Sequence, residues 1–176
     1  MNICVFCSAY VDDPKYVKPA AELARLIGTS HHNLVWGGSY VGLMKVMADG
    51  VRQSGGKLFG VSLEVYKNKL LKDADEMTIA KDLGARKAAM LAKSDASIVL
   101  PGGIGTLDEV TDLLELKKQN HHQKPIVLLN TDNFYEGLRI QLIKMEAENF
   151  LPLKLSDLVT FVDTPQEALR TALRKS

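Results

Sequence analysis

Ala96-Ser97-Ile98-Val99-Leu100-Pro101-Gly102-Gly103-Ile104-Gly105-Thr106 is the stretch on which the fold turns. Its first half, Ala96–Leu100, reads as a strand whose IVL run is apolar on both faces. That pattern belongs to a parallel strand covered from both sides. A proline and three glycines then break the strand, and an amphipathic stretch, Leu107–Gln119, reads as a helix. The same grammar repeats outward in both directions. Further strands are expected at Asn2–Cys7, Asn33–Trp36, Leu58–Leu63, Glu76–Ala80, Pro125–Asn130 and Leu158–Val162. Helices are expected at Tyr16–Ile27, Val41–Ser54, Leu83–Lys93, Phe134–Glu148 and Pro165–Arg174. Strand and helix in alternation imply parallel pairing with helices on both faces. The expected fold is therefore α/β: a Rossmann-like, doubly wound, mostly parallel sheet. The chain has 176 residues, which suits a single nucleotide-binding domain over 1–176.

Sheets of this kind bind ligands beyond the C-terminal ends of their strands. Two such handovers are rich in glycine. One is Trp36-Gly37-Gly38-Ser39-Tyr40-Val41-Gly42, and the other is Pro101-Gly102-Gly103-Ile104-Gly105-Thr106. Glycine lets a backbone approach a ligand closely, and amides at a helix start favour a phosphate. Two such loops point to a phosphorylated ligand. Neither follows the G-x-x-x-x-G-K-[ST] or the G-x-G-x-x-G pattern, which argues against a P-loop NTPase or a standard dinucleotide enzyme.

Thr106-Leu107-Asp108-Glu109 admits two readings. As structure it is a capping box, with Thr106 at N-cap and Glu109 at N3. As chemistry it places a carboxylate beside the ligand. A phosphate here meets repulsion from these acids unless cations offset it, and Arg86 and Lys87, on the helix leading into the glycine strand, are the candidates. Arginine suits bidentate contact with phosphate.

Cys4 and Cys7 form a C-x-x-C. Positions three apart on a strand face opposite ways, and a zinc site needs about four ligands, so core cysteines are expected. His31-His32 and His121-His122 read as helix-end residues. The net charge of +1 gives no basic excess, so no nucleic acid polymer is expected as partner. No apolar run is long enough for a membrane span. The start MNICVFC lacks a basic n-region and a long h-region, so a cytoplasmic location is expected.

GARKAAM (Gly84–Met90), PGGIGTLDE (Pro101–Glu109) and GGSYVGLM (Gly37–Met44) together resemble the Lonely guy (LOG) family. Its members are cytokinin-activating phosphoribohydrolases, with bacterial relatives often labelled lysine decarboxylases. ICVFC followed by Tyr16, and KPIVLLNTDNFYEGL, are similar too. The resemblance implies hydrolysis of the N-glycosidic bond of N6-modified adenosine 5'-monophosphates, giving free base and ribose 5-phosphate with no cofactor. It implies Arg86 and Glu109 as the catalytic pair. It implies substrate binding by Lys87, Gly102, Gly103, Ile104, Gly105 and Thr106, with Ser8, Gly38 and Ser39 from the other turns. It also implies a homodimer or larger homo-oligomer. The chain departs from the family pattern at Ser39 (usually Gly), at Gly84-Ala85 (often His-Glu) and at Ala9 in the turn after the first strand. The decarboxylase label implies pyridoxal phosphate on a particular lysine, and no lysine in the sequence is singled out for it. The alternative on this fold is a non-hydrolytic carrier of a nucleotide or pterin cofactor.

Overall fold

The computed structural model describes residues 1–174. Among these, the strands are β1 (Asn2–Phe6), β2 (Asn33–Trp36), β3 (Leu58–Leu63), β4 (Glu76–Ala80), β5 (Ala96–Val99), β6 (Ile126–Leu129) and β7 (Thr160–Val162). The helices are α1 (Pro14–Thr29), α2 (Gly42–Gln53), α3 (Leu83–Lys93), α4 (Ile104–Lys118), α5 (Glu136–Ala147), the single turn α6 (Leu155–Leu158) and α7 (Pro165–Ala172). All strands pair in parallel in one sheet, ordered β4-β3-β2-β1-β5-β6-β7. The doubly wound α/β expectation is met, and every expected strand and helix is present with ends shifted by a few residues.

Alternation along the strands builds two cores. Ile3 and Val5 of β1 turn to one face, where Leu23 and Ile27 of α1, Met47 of α2 and Leu169 of α7 cover them. Cys4 and Phe6 turn to the other face, beneath Met90 of α3, Val110 of α4 and Leu142 of α5. The C-x-x-C is divided accordingly. Cys4 and Cys7 are free and buried in different clusters, and burial raises both thiols well above their ordinary pKa.

The strand order reverses at β1, which lies between β2 and β5. From β1 the chain winds outward to β4, then crosses back through α3 to β5 on β1's other side. This is the topological switch point, where the loops following β1 and β5 diverge and leave a crevice. Ser8 closes its base: its N–H donates to the Pro101 carbonyl at 3.3 Å, and its own carbonyl accepts from Leu43 N–H at 3.1 Å. Among the described residues no helix is long and apolar enough to cross a membrane.

One local expectation is corrected. Helix α4 begins at Ile104 with Gly103 as its N-cap, not at Leu107 with Thr106 as N-cap. Gly103 adopts an extended conformation, and no side chain caps the helix. Thr106 is therefore inside the first turn and Glu109 lies in the second. The capping box does not form, because the glycine run lets the helix start three residues earlier.

Candidate functional site

A cleft of about 690 Å³ occupies the switch point. Its base is the turn after β1, including Ser8 and Ala9, and one wall is the start of α4 with Gly103, Ile104, Gly105 and Thr106. The other walls are α3, with Arg86 and Lys87, and Ser39 of the loop after β2. The tertiary structure thus gathers nine of the eleven expected site residues, including Glu109, around one space. Gly38 and Gly102 stand behind it. Gly38, at φ +76°, backs onto Met77 and Ser62, and a side chain at Gly102 would run into Thr106.

Arg86 and Glu109 form the centre. Arg86 Nη1 donates to Glu109 Oε1 at 2.7 Å, and Nε donates to the Val61 carbonyl at 3.1 Å. Both side chains are nearly nine-tenths buried, at 12% and 11% exposure. The burial is made possible by Gly37, whose missing Cβ leaves the space that the Arg86 guanidinium fills. Burial raises the pKa of Glu109, and the charge and hydrogen bond of Arg86 oppose this without reversing it. A carboxylate held this way faces the cleft with its proton affinity increased and its orientation fixed.

Lys87, the next residue, is engaged differently. Its Nζ contacts Asp108 at 3.0 Å and Asp112 at 3.2 Å, both on α4. Burial works to lower its pKa, but the two carboxylates outweigh this and the net shift is upward. Arg86 and Lys87 are thus both bound to the acids of α4, and neither guanidinium nor ammonium stands free over the glycine loop.

The sequence reading missed the segment after β3. A 3₁₀ helix, Glu64–Lys69, brings Tyr66 and Lys69 to the cleft. Its end is pinned to the loop after β2 by an antiparallel bridge between Ser39 and Leu70. The signal was positional: residues 64–75 leave the C-terminal end of the inner strand β3, on the side of the sheet where ligand-binding loops belong.

This arrangement sits within a recognisable lineage. Residues 44–172 match the family described as "Possible lysine decarboxylase". The chain is 34% identical over 171 residues to the cytokinin riboside 5'-monophosphate phosphoribohydrolase of Mycobacterium tuberculosis, covering 96% of this chain and 91% of that protein. The chain belongs to the LOG family. An Arabidopsis thaliana member, also named a cytokinin riboside 5'-monophosphate phosphoribohydrolase, is 33% identical, with 93% of this chain and 72% of that protein covered. Among solved structures, the molybdenum cofactor binding protein of Rippkaea orientalis superposes with a TM-score of 0.69 at 25% identity, over 96% of this chain and 91% of that one.

For a LOG-family chain, the departures noted in the sequence take definite places. Ser39 is buried at the cleft wall, and its carbonyl accepts from Trp36 Nε1 at 3.2 Å. Ala9 lines the base, and its main chain closes on Gly42, which has φ +51°. Ala85 lies in the first turn of α3, its N–H held by the N-cap Asp82 at 2.7 Å.

Proposed function

We propose that this chain hydrolyses the N-glycosidic bond of an N6-modified adenosine 5'-monophosphate, in the cytoplasm, to free base and ribose 5-phosphate. The observation that carries this reading is the buried Arg86–Glu109 pair, set into a cleft that also receives the open N-terminus of α4. The phosphate rests against the amides of Gly103, Ile104 and Gly105, where the α4 dipole favours negative charge. The ribose then lies over Glu109. Departure of the base leaves positive charge on the sugar ring, as in glycoside hydrolysis. The Glu109 carboxylate stabilises that charge and orients the attacking water. Water's oxygen bonds to C1' as the bond from C1' to the base nitrogen breaks; the proton that water loses passes by way of Glu109 to solvent, and the departing base nitrogen takes up a proton from solvent. Arg86 holds Glu109 in place and favours its ionised form. Incubation with adenosine 5'-monophosphate and its N6-substituted forms, followed by chromatography of the released base, tests the proposal. Absence of base with every nucleotide refutes it.

A homodimer or larger symmetric assembly is part of this proposal. Leu83 and Ile104, at the starts of α3 and α4, are 55% and 82% exposed beside the cleft mouth, and a second copy of the chain is the occupant we infer for them. Light scattering at working concentration checks it. A fully active monomer excludes it.

The second reading, a carrier of a pterin-type cofactor, draws on the likeness to the molybdenum cofactor binding protein and on the altered turns at Ala9 and Ser39. The same incubation separates the two, since a carrier releases no base.

A further inference from the structure

Among the described residues, the cations lining the cleft are Arg86, Lys87 and Lys69. The first two are answered by acids. Arg86 meets Glu109, and Lys87 meets Asp108 and Asp112. Along the wall built by α3 and α4 the lining cations Arg86 and Lys87 are matched by the lining acids Glu109 and Asp108, with Asp112 behind them as a second partner of Lys87. A phosphate monoester at the start of α4 gains from the helix amides but finds no uncompensated cation on this wall.

Lys69 differs. Its side chain has no hydrogen bond or ion pair among the described residues, whereas nearby Lys67 is taken by Glu64 at 2.6 Å. Its main chain is fixed. The Lys69 carbonyl accepts from Tyr40 N–H at 2.7 Å, and Leu71 N–H donates to Gly38 at 3.0 Å. With the Ser39–Leu70 bridge, these bonds fasten the segment to the loop after β2 from the Lys69 carbonyl through Leu71. The result is an anchored backbone bearing a long, unengaged cation at the wall of a cleft whose other cations are neutralised.

We propose that Lys69 is the residue that recognises the ligand's phosphate monoester, supplying the positive charge that Arg86 and Lys87 do not have free. This deepens the proposed function and rests on its premise that the cleft takes a phosphorylated ligand. A flexible ammonium is suited to the role, because it approaches phosphate as a point charge without a demanding geometry.

Ribose 5-phosphate is the probe, because it carries the phosphate and is not turned over. Its affinity is measured by calorimetry for the unmodified protein, Lys69→Ala, Lys69→Gln and Lys67→Ala, with melting temperature recorded for each. Both Lys69 variants are expected to bind roughly tenfold more weakly or worse, the loss typical of one charge-assisted contact, with melting temperature unchanged. Lys67→Ala is expected to bind as the unmodified protein does. Unchanged affinity in either Lys69 variant overturns the proposal, as does an equal loss in Lys67→Ala or no binding by the unmodified protein. Lys69-dependent binding by a protein that releases no base from any nucleotide would refute the hydrolase reading alone.

Discussion

The two glycine loops look alike in sequence and do opposite things in space. The loop after β5 opens two of its three glycines to the cleft: a Cβ added at Gly103 or Gly105 meets nothing within 4 Å, whereas one at Gly102 would run into Thr106. The loop after β2 turns its glycines to the protein. Gly37 makes room for Arg86, and Gly38 abuts Met77. One loop leaves space for a ligand, and the other leaves space for the arginine that holds Glu109. A glycine marks a close approach, and only the fold says what approaches.

The sharpest way to break this comparison is to remove charge at the point both loops serve. Glu109→Gln keeps a side chain that still accepts from Arg86 Nη1 but loses the negative charge. We expect kcat to fall by about a hundredfold or more with the fold retained. Base release and melting temperature on one preparation check it, and a variant that keeps most of its kcat would remove Glu109 from the chemistry.

Next come the loops themselves. Gly37→Ala places a methyl where the Arg86 guanidinium sits, so the ion pair with Glu109 is expected to break. We expect kcat to drop by at least about tenfold, since groups that position a catalytic residue act on the transition state. Gly105→Ala, in the first turn of α4, is expected instead to raise KM for the monophosphate several-fold at nearly unchanged kcat. Its melting temperature should hold or rise, by at most about 1 kcal/mol of added stability, because alanine is the better helix former. Identical kinetic signatures for the two variants would erase the distinction between the loops.

A smaller effect lies in the pH profile. Burial raises the pKa of Glu109, with Arg86 opposing. A carboxylate needed in its ionised form loses activity as pH falls through its pKa, so the acid limb of kcat/KM is expected above the ordinary glutamate range. Gly37→Ala, by displacing the opposing guanidinium, should move that limb to still higher pH. A limb that stays put in the variant would mean that Arg86 does not govern the ionisation of Glu109.

The smallest expected effect is at Lys87. Its partners Asp108 and Asp112 are 52% and 35% exposed, and partly solvated ion pairs contribute little. Lys87→Ala should leave melting temperature within a degree or two and raise KM by a few-fold at most. A loss comparable to that of Glu109→Gln would place Lys87 in the reaction.

What the sequence by itself determined was the alternation of period and the punctuation. Apolar runs such as IVL at Ile98–Leu100 and IVLL in β6, separated by amphipathic stretches, are enough to imply a parallel sheet covered on both faces, because strands of this kind bury both of their faces under helices. The motif residues Arg86 and Glu109 were legible as a pair through the family resemblance, whereas the expectation that Arg86 offers itself to a phosphate was not met, because its guanidinium is held by Glu109 and the Val61 carbonyl. The tertiary structure decided three things. It started α4 at Ile104, since an extended Gly103 can cap a helix without a side chain, and so dissolved the capping box that Thr106 and Glu109 spell out. It paired Lys87 with Asp108 and Asp112, because α3 and α4 cover the same face of the sheet although residues 87 and 108 are far apart in the chain. It brought Lys69 to the cleft through backbone hydrogen bonds to Gly38 and Tyr40. Main-chain atoms are the same at every position, so bonds between them leave no trace in residue identity.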